Sequence, residues 1–201
     1  MALARTSGPA AAVFLDKDGT LVRDVPFNDD PRRVSLMPGV AEGIRELASA
    51  GFRLFVVTNQ SGLARGLMSV GRFEATIARM YELLAEKGAR VDGVYVCPHY
   101  PEGVVESLTV SCNCRKPRPG MLLQAAAEHD IDLSRSWLIG DILHDVEAGN
   151  RAGCRTVLLT GGETEWVRGP YRTPDVTVTG FGNAVRAICE ATDAAPRRQA
   201  L

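Results

Sequence analysis

The chain has 201 residues, 45% of them hydrophobic, and a formal charge of −1. That length fits one substantial core better than two, and the near-neutral charge argues against a broad nucleic-acid or anionic-membrane surface while allowing a local basic pocket. No stretch approaches about eighteen uninterrupted apolar residues, and Met1 to Ala12 lacks the apolar centre of a signal peptide, so a soluble, cytoplasmic, single-domain protein is expected.

Val13-Phe14-Leu15 is a short apolar run stopped by Asp16-Lys17-Asp18-Gly19-Thr20, which predicts a buried parallel strand delivering two acids to its carboxyl end. Gly19 allows a tight turn that brings both acids to one ligand. Val22 to Leu36, with two prolines and no steady period, reads as a loop near that site. Pro38-Gly39 opens a helix with Val40, Ile44, Leu47 and Ala48 on its apolar stripe, closed by Gly51. Phe52 to Val57 is a second buried strand, stopped at Thr58-Asn59-Gln60-Ser61-Gly62. A long helix follows Arg65, with Ser69 as N-cap and Phe73, Ile77, Met80, Tyr81 and Leu84 on its apolar face. Val94 to Val96 is a third strand and Met121 to His129 a helix. Trp137 to Ile139 is a fourth strand, stopped at Gly140-Asp141, followed by a helix carrying Asp145 that ends near Gly153. Thr156 to Leu159 is a fifth strand, capped by Thr160-Gly161-Gly162, and Val176 to Val178 a sixth, at an edge. Residues 1–11 and 192–201 are expected to be flexible, with open tail chemistry from Ala191. Strands alternating with helices predict a doubly wound α/β sheet with polar residues where strands end.

Those strand ends hold what phosphoryl transfer requires. Asp16 is placed as a nucleophile that forms an aspartyl-phosphate, and Asp18 as the acid and then base. Thr58 can donate to a phosphoryl oxygen, and Asn59 can donate too or position the neighbouring acid. Lys116 supplies fixed positive charge. Asp141 and Asp145 would complete an oxygen-rich Mg²⁺ site with Asp16.

Three of the five cysteines fall between 97 and 114, which points to metal or reduced thiols rather than a disulfide framework. Cys97, His99, Cys112 and Cys114 form C-x-H followed by C-x-C, a donor set suited to tetrahedral zinc. With all four positions filled, the zinc would be structural, fixing Arg115-Lys116 beside the site. Cys154 and Cys189 lie in apolar patterns and read as buried thiols.

The ordered set Asp-x-Asp-Gly-Thr, Thr-Asn, Arg-Lys-Pro and Gly-Asp-x-x-x-Asp resembles the haloacid dehalogenase superfamily of phosphohydrolases, from about Val13 to Thr160. The resemblance implies a Rossmann-like, capless phosphatase in which Mg²⁺ is held by Asp16, the backbone carbonyl of Asp18 and Asp141. The segments Thr58 to Gly66 and Arg115 to Met121, with the Cys/His loop, look like the heptose-bisphosphate phosphatase branch, which also holds histidinol-phosphate phosphatases. There Arg65 and Arg115 are implied in substrate recognition. The resemblance implies a small phosphorylated metabolite as substrate, and Arg65 with Arg115 suits a second phosphate or sugar hydroxyls better than an imidazole, so a sugar bisphosphate is expected above histidinol phosphate. A capless site needs no partner to close it, so a monomer is expected, and the near-neutral charge speaks against nucleic-acid or membrane partners. A receiver-like signalling module is disfavoured, because Thr58 comes too early and no isolated Asp closes the third strand.

Overall fold

Burial along the strands dictates the layering. Every residue of β1 (Ala12–Leu15) is buried, as are all of β4 (Trp137–Gly140) and the five central residues of β2 (Arg53–Asn59), so the sheet must be covered on both faces. The computed structural model describes residues 8–160 and 169–193. Val13 and Leu15, Leu54 and Val56, Trp137 and Ile139 face one core, closed by α1 (Val40–Ser49), α3 (Val70–Glu86) and α6 (Phe181–Asp193). The alternate residues Phe14, Phe55, Val57 and Leu138 face a second core with α4 (Gly120–His129) and α5 (Leu143–Ala152).

Six parallel strands lie in the order β3-β2-β1-β4-β5-β6, with β3 at Gly93–Cys97, β5 at Arg155–Leu159 and β6 at Val176–Val178. This is the doubly wound order expected, and β6 is an edge strand. The chain winds outward in opposite directions from β1, so a crevice opens at the carboxyl ends of β1 and β4. Asp16 and Asp141 stand there, each directly after its strand.

Ser69 caps α3 as expected, its hydroxyl accepting from the Arg72 amide at 3.3 Å. Ala48 and Tyr81 are corrections: both face solvent, and Ala41, Gly43 and Thr76 take inward positions on α1 and α3. The short helix α2 (Ser61–Ala64) and α6 were not anticipated. Of the ends expected to be flexible, residues 1–7 and 194–201 lie outside the described residues, as do Gly161 and Gly162. Ala10 pairs with Ile131, and α6 carries the chain through Asp193, so Ala191 to Asp193 are helical rather than an open tail. Between β1 and β2 the chain holds α1 and a single 3-10 turn, Pro31–Arg33. The preceding loop is pinned to the body where Val22 bridges Leu36 and Asp29 pairs with Arg72 at 2.9 Å.

Candidate active site

The site is built from four backbone stops. β1 hands over at Asp16, whose amide still donates to Ile139 O at 2.9 Å. Gly19 then turns with φ 79°, and a β-carbon there would lie 2.0 Å from Asp141 Oδ2, so only glycine leaves room for that carboxylate. Lys116 enters from the far side of the crevice. Its ammonium donates to Asp16 Oδ1 at 2.5 Å and to Val57 O at 2.8 Å, and lies 2.6 Å from Asp145 Oδ1. Asp145, in the first turn of α5, also accepts from the Ile142 amide at 3.3 Å through Oδ2.

Lys116 and Asp145 are almost wholly buried, and one carboxylate oxygen each from Asp16, Asp141 and Asp145 lies within 4.8 Å of the others. Burial pushes the Asp16 carboxyl well above the ordinary range; Lys116 opposes this, and Asp145 and Asp141 add to it. Burial, with the charge of Asp145, pushes Asp141 up to about 7. Burial works to discharge Lys116, but Asp145 and Asp16 hold its pKa above that of an ordinary lysine. Three acids around one ammonium leave excess negative charge in a dry crevice, a condition that a bound cation relieves. Their hard oxygen donors, and the space Gly19 leaves for Asp141, fit Mg²⁺.

Asp18 is held from two sides. Gln60 Nε2 donates to its Oδ2 at 2.8 Å and to Thr58 Oγ1 at 2.9 Å, while the Lys17 ammonium pairs with Oδ1. The Thr58 hydroxyl therefore accepts from Gln60 and keeps its own proton for a ligand. Neither Lys17 nor Gln60 had been singled out. The alternation of a strand was the available signal for Gln60, since residues 58 and 60 share one side. The same alternation turns Asn59 the other way. Its carboxamide accepts from the Lys116 amide and donates to the Lys116 carbonyl, both at 3.0 Å. Asn59, expected to donate to a phosphoryl oxygen or to position the neighbouring acid, clamps the backbone of Lys116.

A cleft of about 240 Å³ opens over Asp18 and is bordered by Asp24, Phe27 and Asn28 of the first loop and by Gln60. Arg65 and Arg115 meet in the Cys/His loop, where both guanidinium groups lie over the ring of Tyr100, at 3.9 and 5.2 Å from its centroid.

The sequence brings the four expected zinc donors together. Cys97 Sγ is 3.6 Å from Cys112 Sγ and 3.9 Å from His99 Nδ1, Cys114 Sγ is 3.1 Å from Cys112 Sγ and 3.3 Å from His99 Nδ1, and all four atoms fit within 4.8 Å. Zinc–sulfur bonds of about 2.3 Å at tetrahedral angles place sulfurs about 3.8 Å apart, so the cluster fits zinc. Cys154 is buried and Cys189 partly so, on opposite faces of the sheet. His129 stacks on Phe55 with centroids 4.7 Å apart, a packing role.

The HAD-hydrolase-like family matches residues 113–184. A D-glycero-beta-D-manno-heptose-1,7-bisphosphate 7-phosphatase of Yersinia pestis is 42% identical over 148 residues, 74% of this chain and 79% of its own length. The chain belongs to the haloacid dehalogenase-like phosphatases. Within these phosphatases it is also similar to solved structures over nearly its whole length. A HAD-like phosphatase candidate from Mesorhizobium loti superposes with a TM-score of 0.82 at 33% identity, covering 100% of this chain and 94% of that one. The D,D-heptose 1,7-bisphosphate phosphatase of B. bronchiseptica, solved with magnesium and phosphate, gives 0.74 at 30% identity, covering 90% and 99%. The HAD phosphatase fold and family expected from the motifs are thereby established.

Proposed function

We propose that this chain is a Mg²⁺-dependent phosphatase that removes the 7-phosphate of D-glycero-D-manno-heptose 1,7-bisphosphate. The observation that carries the chemistry is the buried Lys116, tied at once to Asp16 from β1 and Asp145 from α5 at the crevice between β1 and β4. The named activities of the relatives supply the substrate.

Asp16 is the nucleophile. Lys116 occupies Oδ1, which fixes the carboxylate and favours its charged form, leaving Oδ2 to attack phosphorus in line with the leaving sugar oxygen. Asp18, oriented by Gln60, protonates that oxygen as the P–O bond breaks. It then takes the proton of the water that hydrolyses the aspartyl-phosphate, releasing phosphate and restoring Asp16. The free hydroxyl proton of Thr58 and the Lys116 ammonium stabilise charge on the phosphoryl oxygens. Asp16, Asp141 and the Asp18 backbone carbonyl would hold Mg²⁺, with Asp145 serving first to fix Lys116. The bound ion supplies further charge compensation on the phosphoryl group. Cys97, His99, Cys112 and Cys114 would hold a structural zinc, and Arg65 with Arg115 would recognise the rest of the substrate. A cytoplasmic monomer without nucleic acid fits this scheme: every group it uses comes from one chain of net charge −1, and no helix among the described residues is long and apolar enough to cross a membrane.

The test is phosphate release by the purified protein with Mg²⁺, from the heptose bisphosphate beside histidinol phosphate and p-nitrophenyl phosphate. The bisphosphate is expected to have the highest kcat/KM, and Asp16→Asn to lower kcat by at least about a thousandfold. A fully active Asp16→Asn protein would sink the mechanism, and preference for histidinol phosphate would sink the substrate.

A further inference from the structure

Tyr100 lies outside the catalytic constellation, on the Cys/His loop one residue after His99, and two cations converge on it. Arg65 Cζ sits 3.9 Å and Arg115 Cζ 5.2 Å from the ring centroid. Both arginines are half-buried, and among the described residues neither is in a salt bridge. Among the described residues the Nε of Arg65 is buried with no hydrogen-bond partner, and the Arg115 guanidinium makes one long hydrogen bond, Nη1 to His99 O at 3.4 Å. Like charges brought to one place and partly dried repel unless something negative answers them. The π face of Tyr100 answers in part, since its quadrupole attracts cations. The rest of the demand is for an anion.

The loop is also rigidly joined to the segment that carries Arg65. The amides of Val104 and Val105 both donate to Ala64 O, at 2.8 and 3.0 Å, and a β-carbon on Gly103 would lie 2.6 Å from the same oxygen. Tyr100 itself bonds Gly103 through its backbone at 3.1 Å, and its hydroxyl contacts Glu102 at 3.4 Å. The ring is therefore a fixed surface rather than a swinging side chain.

We propose that Tyr100 is a positioning residue for specificity: its ring holds the Arg65 and Arg115 guanidinium groups together as a receptor for a second anionic group on the substrate, remote from the phosphoryl group under attack. The inference rests on the phosphatase reading of the site and adds the group that makes a bisphosphate preferable to a monophosphate. A stacked guanidinium keeps its N–H donors directed outward along its own plane, which suits a phosphate better than a neutral hydroxyl. The ring does this work, so phenylalanine serves as well as tyrosine.

The experiment compares Tyr100→Phe and Tyr100→Ala with the parent on the heptose bisphosphate and on p-nitrophenyl phosphate, which has no second anion. Zinc content is measured for each protein. Tyr100→Ala is expected to raise KM for the bisphosphate about five- to tenfold with kcat within about twofold, to leave p-nitrophenyl phosphate kinetics unchanged, and to keep its zinc. Tyr100→Phe is expected to match the parent. Equal losses on both substrates, loss of zinc, or an unchanged bisphosphate KM in Tyr100→Ala would each overturn the proposal. The substrate reading fails separately. Calorimetric titration of fructose 1,6-bisphosphate and fructose 6-phosphate into Asp16→Asn protein, with and without Tyr100→Ala, reads the second anion whatever the natural substrate is. A bisphosphate preference that disappears with the ring supports the role of Tyr100, and a preference that survives, or none in either protein, refutes it.

Discussion

Asn59 acts on the site through the backbone of another residue. Its carboxamide pins both backbone groups of Lys116, so the lysine leaves its loop at a fixed point before reaching 2.5 Å from Asp16. Asn59→Ala leaves that amide and carbonyl without partners and lets Lys116 drift, and a drift of about 1 Å can cost about a hundredfold in rate. The expected outcome is a kcat on p-nitrophenyl phosphate lowered about ten- to a hundredfold with KM changed little. A raised KM at unchanged kcat would restore Asn59 to substrate contact. Asp16, Asp18 and Thr58 were legible in the sequence because an apolar run stopped by polar residues marks a strand end on its own; Lys116, grouped with them at a strand end, instead stands in the loop between Cys97 of β3 and α4 and reaches the crevice from there. The partners of Gln60 and Asn59 lie 42 and 57 residues away in the chain, so which way each carboxamide turned depended on strand pairing.

At the level of elements, the Cys/His loop joins the residues proposed for recognition to those proposed for catalysis. β3 ends at Cys97, and Cys114 is followed directly by Arg115 and Lys116, so four donors gathered at one point set where the basic pair emerges. Zinc bound there would hold the loop together, because its donors are thiols and an imidazole brought from residues up to 17 apart in sequence numbering. Cys112→Ser, or prolonged treatment with a zinc chelator, is expected to lower kcat/KM about ten- to a hundredfold while the sheet keeps its far-ultraviolet circular dichroism. Full activity in a zinc-free protein would show that the loop needs no metal. The spacing of the four donors made this loop readable in advance. α6 was missed although Phe181, Ala184, Val185 and Ile188 follow the i, i+3, i+4, i+7 pattern of a helix. Gly180, Gly182 and Asn183 had the chemistry of a turn, and burial against the core outweighed it.

For the molecule as a whole, the sheet order sets up an expected opposition between activity and stability. A doubly wound sheet leaves one crevice where its two halves diverge, and this chain fills it with Asp16, Asp141 and Asp145 around the buried ammonium of Lys116. The alternating strands and helices announced such a sheet, but the neighbours of β1 on either side, and so the meeting of Asp16 with Asp141, follow only from the fold. Without a cation, the mutual repulsion of these carboxylates opposes folding, so relieving it should stabilise the protein at the expense of function. Asp141→Asn keeps the shape of the side chain beside Gly19 and removes one charge. In metal-free buffer its Tm is expected to exceed that of the parent by about 2–4 °C, the shift that about 1 kcal/mol produces in a domain of this size. Magnesium held by the proposed site would bind the folded state alone, so it should raise the parent's Tm with concentration and move the variant little, reversing the order of the two proteins. Thermal unfolding of both across a magnesium titration tests this directly. Parallel upward shifts in the two proteins would place the ion away from Asp141, and a metal-free variant less stable than the parent would show that Asp141 is held by favourable contacts instead of being crowded by its neighbours.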